Sequence, residues 1–138
     1  MGFGPRNMRT IALEEHFVTQ AFMQGPGRGM EQILEAFARS SMKTTAAQVI
    51  DRLLDLGQGR VSEMGAAGID MQVLSLTRGV EGAQDDIEAA NLARDSNQVL
   101  AEAVKQYPTF LAGFASLRVL TPGQGRRRVG TCSERARS

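Results

Sequence analysis

The sequence predicts an α/β fold in which three short strands lie parallel and alternate with helices. Two observations carry this. Three runs, at residues 10–15, 69–76 and 110–117, are short and largely apolar, the second bounded by Gly68 and Gly79 and the third preceded by Pro108, as buried strands are. The segments between them repeat their apolar residues with helical rather than alternating spacing. Strands that are nearly continuous in apolar residues, each separated from the next by helix, indicate a parallel sheet with covered faces.

Residues 10–15 form the first predicted strand, followed by a glycine-rich loop at 24–29, Gln-Gly-Pro-Gly-Arg-Gly. Met30, Ile33, Leu34, Phe37 and Ala38 then fall on one helical face. Thr45 is placed to cap a second helix, whose Ala46, Val49, Ile50, Leu53 and Leu54 share a face and whose stop is expected at Gly57. A third short helix is expected over 61–67, ending at Gly68, and the second strand over 69–76. Residues 84–106 make the longest helix, with Asp85, Asp86 and Glu88 at the end that favours acids and Lys105 at the end that favours bases. Pro108 closes it, and the third strand follows at 110–117.

Within the first strand, Glu14 and His16 are two residues apart, and His16 is the chain's single histidine. Strand side chains alternate, so the two share a face and Glu15 takes the other. A carboxylate beside an imidazole suits a zinc-like or manganese-like ion. Catalytic zinc takes three protein ligands plus water, however, and only two are supplied here. Metal binding by this chain is therefore expected to be weak. Taken alone, a Glu-x-His pair is more often an ordinary polar pair. The loop at 24–29 lacks the leading strand and the Gly-Lys-Ser/Thr of a phosphate cradle, and reads as a flexible loop on the active-site side. Asp85 and Asp86 are read as helix-cap and dipole partners, and Met64 and Met71 as core residues.

Composition bounds the remaining possibilities. With 138 residues, 42% apolar and 22% charged, the chain suits one globular domain. No run approaches the ~18 apolar residues of a membrane span, and the beginning lacks a secretory pattern, so a cytoplasmic location is expected. The single Cys132 excludes an internal disulfide framework. The net charge of +1 conceals an asymmetry, since residues 118–138 hold six arginines against Glu134, leaving 10 basic and 14 acidic residues upstream. Residues 118–138, including Arg126, Arg127 and Arg128, read as a disordered Arg-rich tail after a domain at 1–117. Such a tail raises a second reading, an anionic-surface or nucleic-acid binder. No aromatic platform or recognised binding fold supports it, so nucleic acid is not expected as a partner.

Four segments in register carry a family resemblance: Ile11-Ala12-Leu13-Glu14-Glu15-His16-Phe17, the run from Gly65 to Thr77, the run from Ala93 to Glu102, and the run from Pro108 to Leu117. Over residues 9–117 the chain resembles the opening third of amidohydrolase-related proteins, and within them the metal-dependent aromatic acid decarboxylases that act on resorcylate (dihydroxybenzoate) and carboxyvanillate. The resemblance implies the N-terminal third of a metal-binding (β/α)₈ barrel, with Glu14 and His16 matching the Glu-x-His ligand pair at the end of its first strand. It implies a divalent metal, zinc or manganese, and a small aromatic carboxylic acid as substrate. The metal of the intact enzymes binds the acid's carboxylate and neighbouring hydroxyl while a proton reaches the ring carbon and carbon dioxide departs. Hydrolases of the family share the same first-strand motif, so the reaction stays open between hydrolysis and decarboxylation.

The family's later ligands, a histidine and an aspartate, and its proton-handling histidine have no counterpart here. Arg78 also stands where the family has the proline of a Pro-Gly turn. A full barrel takes about 250 residues, whereas three of its eight strands are recognisable in this chain. The sheet edges and one apolar face are thus expected to be open, favouring self-association or a partner that supplies strands. The abrupt end of the resemblance after Leu117 reads as a truncated or frameshifted form of a longer gene. The chain by itself is expected to be an inactive, non-catalytic fragment.

Overall fold

The computed structural model describes residues 8–41, 44–78, 80 and 83–117. In order, the elements are β1 (Ile11–Phe17), α1 (Gln20–Gln24), α2 (Met30–Ser41), α3 (Ala46–Leu54), α4 (Gln58–Ala66), β2 (Met71–Leu76), α5 (Asp86–Gln106) and β3 (Leu111–Gly113). The strands form one parallel sheet in the order β1-β2-β3, as the apolar runs predict. The expected tail at 118–138 lies outside the described residues.

Helix boundaries follow local chemistry. Thr45 caps α3 through a complete capping box, its side chain accepting from the Gln48 N–H while the Gln48 side chain accepts from the Thr45 N–H. The stop expected at Gly57 is corrected: α3 ends at Leu54 with Asp55 as its cap, and Gly57 instead caps the start of α4. Accordingly α4 begins three residues earlier than the apolar pattern suggests. Asp85 caps α5, accepting from the N–H groups of Ile87 and Glu88, as its acidic start predicts. The short α1, which has no helical run long enough to signal it, is held by the Thr19 hydroxyl accepting from the Phe22 N–H at 3.1 Å.

The core lies on one side of the sheet. Phe17 on β1, Leu74 and Leu76 on β2 and Leu111 on β3 pack with Met64 of α4 and with Leu92, Ala93 and Leu100 of α5. Met64 is a core residue, as expected, whereas Met71 is half-buried on the opposite face. On that face Ile11 and Leu13 are exposed, and Val73, Ser75 and Ala112 are half-buried. One face of the sheet is covered by helices and the other is open.

The third strand is shorter than its apolar run, ending at Gly113 rather than 117. The Asn97 side chain accounts for this, accepting from the Ser116 N–H at 2.7 Å and donating to the Ser116 carbonyl at 2.9 Å. Those two groups are bound to α5 rather than to a strand. At Gly113 a Cβ would meet the side chain of buried Leu100, with Cδ1 at 2.8 Å and Cγ at 2.9 Å. Gly113→Ala is therefore expected to cost about 1–3 kcal/mol in urea unfolding, the overpacking range. An unchanged midpoint would show that α5 is free to retreat from the sheet.

Candidate metal centre

Glu14 and His16 sit in the last four residues of β1, which runs two residues further than expected, so both belong to the strand rather than to a following loop. Regular alternation fails just before them. Ala12 pairs with Gln72 and Glu15 with Leu74, which leaves Leu13 and Glu14 together opposite Val73. This is a β-bulge, and Glu14 carries it with φ of 61°. Beyond the bulge the alternation resumes. Glu15 and Phe17 align with Leu74 and Leu76 on the helix side, while His16 aligns with Ser75 on the open side. His16 shares Ser75's level, and Glu14, inside the bulge, stands with Leu13 at the level of Val73. Both side chains are exposed.

Ser75, which sequence reasoning does not single out, lies with its Oγ 3.2 Å from His16 Nδ1. A partner at Nδ1 orients the ring and leaves Nε2 as the nitrogen available to a ligand. The signal in the sequence is pairing register, since Ser75 is the polar residue of an otherwise apolar β2 face.

Behind the pair stands Arg60, also missed, which is 8% exposed on α4. Its Nη2 donates to the His16 carbonyl at 3.1 Å and to the Arg52 carbonyl at 2.9 Å, its Nη1 to Gln72 Oε1 at 2.9 Å, and its Nε to the Asp55 carbonyl at 2.6 Å. Burial pushes this guanidinium below its ordinary value, while Asp55, Glu15 and Glu63 favour its charge. Glu15 thus contributes to the layer behind the strand, consistent with its opposite orientation. Arg60 closes the free edge of β1 at His16, where a neighbouring strand would otherwise accept and donate.

A cleft of about 740 Å³ borders this edge, lined by Glu14, Glu15, His16, Arg60, Met64 and Gln72 among others. Its walls come from the end of β1 and from α3 and α4, so both members of the candidate pair border it. Among the described residues, no group of three or more His, Cys, Asp or Glu side chains is placed to hold a metal ion. The carboxylate and imidazole suit a divalent cation by donor type, but their number leaves its coordination incomplete.

No protein-family model matches the chain. The γ-resorcylate decarboxylase of Polaromonas sp. is 34% identical over 123 residues, covering 88% of this chain and 34% of the relative. Its homologues are aromatic acid decarboxylases of the amidohydrolase fold. Two solved decarboxylases show the same backbone. A dihydroxybenzoic acid decarboxylase from Polaromonas sp., bound to manganese and the inhibitor 2-nitroresorcinol, is 32% identical with a TM-score of 0.69, over 92% of this chain and 36% of that one. A 5-carboxyvanillate decarboxylase from Novosphingobium aromaticivorans, complexed with manganese and 4-hydroxy-3-methoxy-5-nitrobenzoic acid, is 32% identical with a TM-score of 0.68, over 83% and 35%. The chain spans about a third of the length of these decarboxylases, and its three parallel strands correspond to a third of their barrel. Among the described residues no helix is long and apolar enough to cross a membrane.

Proposed function

We propose that this chain forms the first three strands of a metal-dependent aromatic acid decarboxylase, that Glu14 and His16 are two of the ligands of its divalent metal, and that these three strands alone do not turn over substrate. The observation that carries the reading is the placement of a carboxylate and an imidazole, both exposed, two residues apart at the C-terminal end of β1, where both border one cleft. Active sites of (β/α)₈ barrels are built at that end of their strands. Manganese in the dihydroxybenzoic acid and carboxyvanillate decarboxylases supports a divalent ion here. Such an ion would supply Lewis-acid polarisation of the bound acid's oxygens. The chain's own residues hold it in part: His16 through the nitrogen that Ser75 leaves free, and Glu14 through the carboxylate that the bulge turns outward.

Exposed Ile11, Leu13, Phe114 and Leu117 support a further element of the proposal, that the open side of the sheet packs against additional strands. Those strands come from the same polypeptide or from another copy or partner. A reading as an anion binder through Arg126, Arg127 and Arg128 gains no support from the described residues, because these arginines lie outside them.

Mn²⁺ titration of the isotope-labelled chain, followed by paramagnetic broadening, tests the ligand pair. Weak, saturable broadening is expected at Glu14, His16 and Ser75, lost in His16→Ala and reduced in Glu14→Gln. Broadening indifferent to both substitutions would refute the assignment. Release of carbon dioxide from 2,6-dihydroxybenzoate by the Mn²⁺-loaded chain would refute the claim that these strands are inactive alone.

A further inference from the structure

We propose that the turn formed by Thr77 and Arg78, at the C-terminal end of β2, is a carboxylate-binding subsite in which Arg78 supplies the charge. The proposal rests on the reading of Glu14 and His16 as metal ligands, since it places a second recognition group at the same end of the same sheet.

Three features of the turn point this way. Arg78 has φ of 59°, a left-handed backbone that a non-glycine residue adopts only against resistance. Its side chain is exposed and makes no hydrogen bond or ion pair among the described residues. The neighbouring Thr77 Oγ1 is buried without a hydrogen-bond partner among the described residues. A strained backbone, an unpaired cation and an unsatisfied hydroxyl therefore meet in two adjacent residues, and costs of this kind gather where a ligand is bound. Proline, expected here from the resemblance, has its φ fixed near −65° and cannot adopt this conformation. The change to arginine thus brings a different backbone and a new charge to one position.

The turn is tied to the candidate metal pair. The Thr77 N–H donates to the Phe17 carbonyl at 3.0 Å, one residue beyond His16. His16 is in register with Ser75, three residues before Arg78. At a rise of ~3.3 Å per residue this puts the Arg78 backbone no more than about 10 Å along the sheet from the level of His16. Arg78 therefore carries a guanidinium on a flexible stem at the same end of the sheet as Glu14 and His16. The planar fork of arginine matches a carboxylate with two parallel hydrogen bonds, which favours a carboxylate over a neutral ring substituent.

The test is an amide-resolved NMR titration of the full chain with 2,6-dihydroxybenzoate and, separately, with resorcinol, which has the same ring without the carboxylate. The acid is expected to shift the Thr77 and Arg78 signals and to bind about tenfold more tightly than resorcinol. Arg78→Gln and Arg78→Gly are expected to erase that preference, and Arg78→Lys to retain part of it. Because Arg78→Gly suits the left-handed backbone, it removes the charge without disturbing the turn. Equal affinity for the two ligands, an undiminished preference in Arg78→Gln, or no perturbation of the turn by either ligand would each overturn the subsite. Mn²⁺ broadening at His16, recorded on the same samples, separates the two readings. If it persists without an Arg78-dependent preference, the subsite alone fails. If it is absent while the preference depends on Arg78, the metal assignment alone fails.

Discussion

Arg60→Met lowers the unfolding free energy by about 3 kcal/mol or more, the range for stripping a buried charged donor from its partners. Methionine fills much of the same volume, so the loss comes from unpaired polar groups rather than a cavity. The carbonyls of His16, Arg52 and Asp55 and the Gln72 side chain all lose their donor together. Arg60→Lys recovers only a fraction, because a single ammonium cannot reproduce a planar fork reaching four oxygens. Urea unfolding measures the loss. The methionine variant should also lose amide-exchange protection across β1 and the α3–α4 connection before the rest of the chain opens. A midpoint within the error of the unmodified chain would show that the edge of β1 is held by packing instead.

Glu14→Gly raises stability by roughly 1 kcal/mol while removing Mn²⁺ binding, since glycine takes the left-handed conformation without a Cβ clash. The observed φ of 61° at Glu14 is the cause, and the bulge is the reason that conformation is required there. Glu14→Val should destabilise instead, because a β-branched residue resists this backbone more strongly. Opposite signs for glycine and valine in urea unfolding, with both variants losing metal-induced broadening at His16, is the expected pattern. If glycine lowers the midpoint as well, the bulge is not a source of strain. Stability given up at a ligand position accords with the way strained backbone collects at functional sites.

Much of this architecture was legible in the residue pattern. Three short, largely apolar runs became three parallel strands, and Thr45 and Asp85 announced the starts of α3 and α5 through side chains that satisfy the first free N–H groups. Boundaries that depend on distant partners were not legible. The run at 110–117 is apolar throughout, yet Asn97 on α5 captures Ser116 and ends pairing early. Gly57 looked like a helix stop because glycine serves both ends, and only the chain's path decided that it opens α4.

For the candidate site the division is similar. The sequence by itself determined the pair Glu14 and His16, because spacing of two on a strand and the presence of a single histidine are local facts that survive folding. Tertiary structure decided everything that supports or limits the pair. It placed Ser75 across the strand from His16 and put Arg60 against the His16 carbonyl from 44 residues away. It also inserted the bulge that sets Glu14 and Leu13 against one residue of β2. The physical reason is that hydrogen-bond partners across strands and between layers depend on register and packing, which join residues far apart in the chain, whereas alternation and capping are written in neighbouring residues.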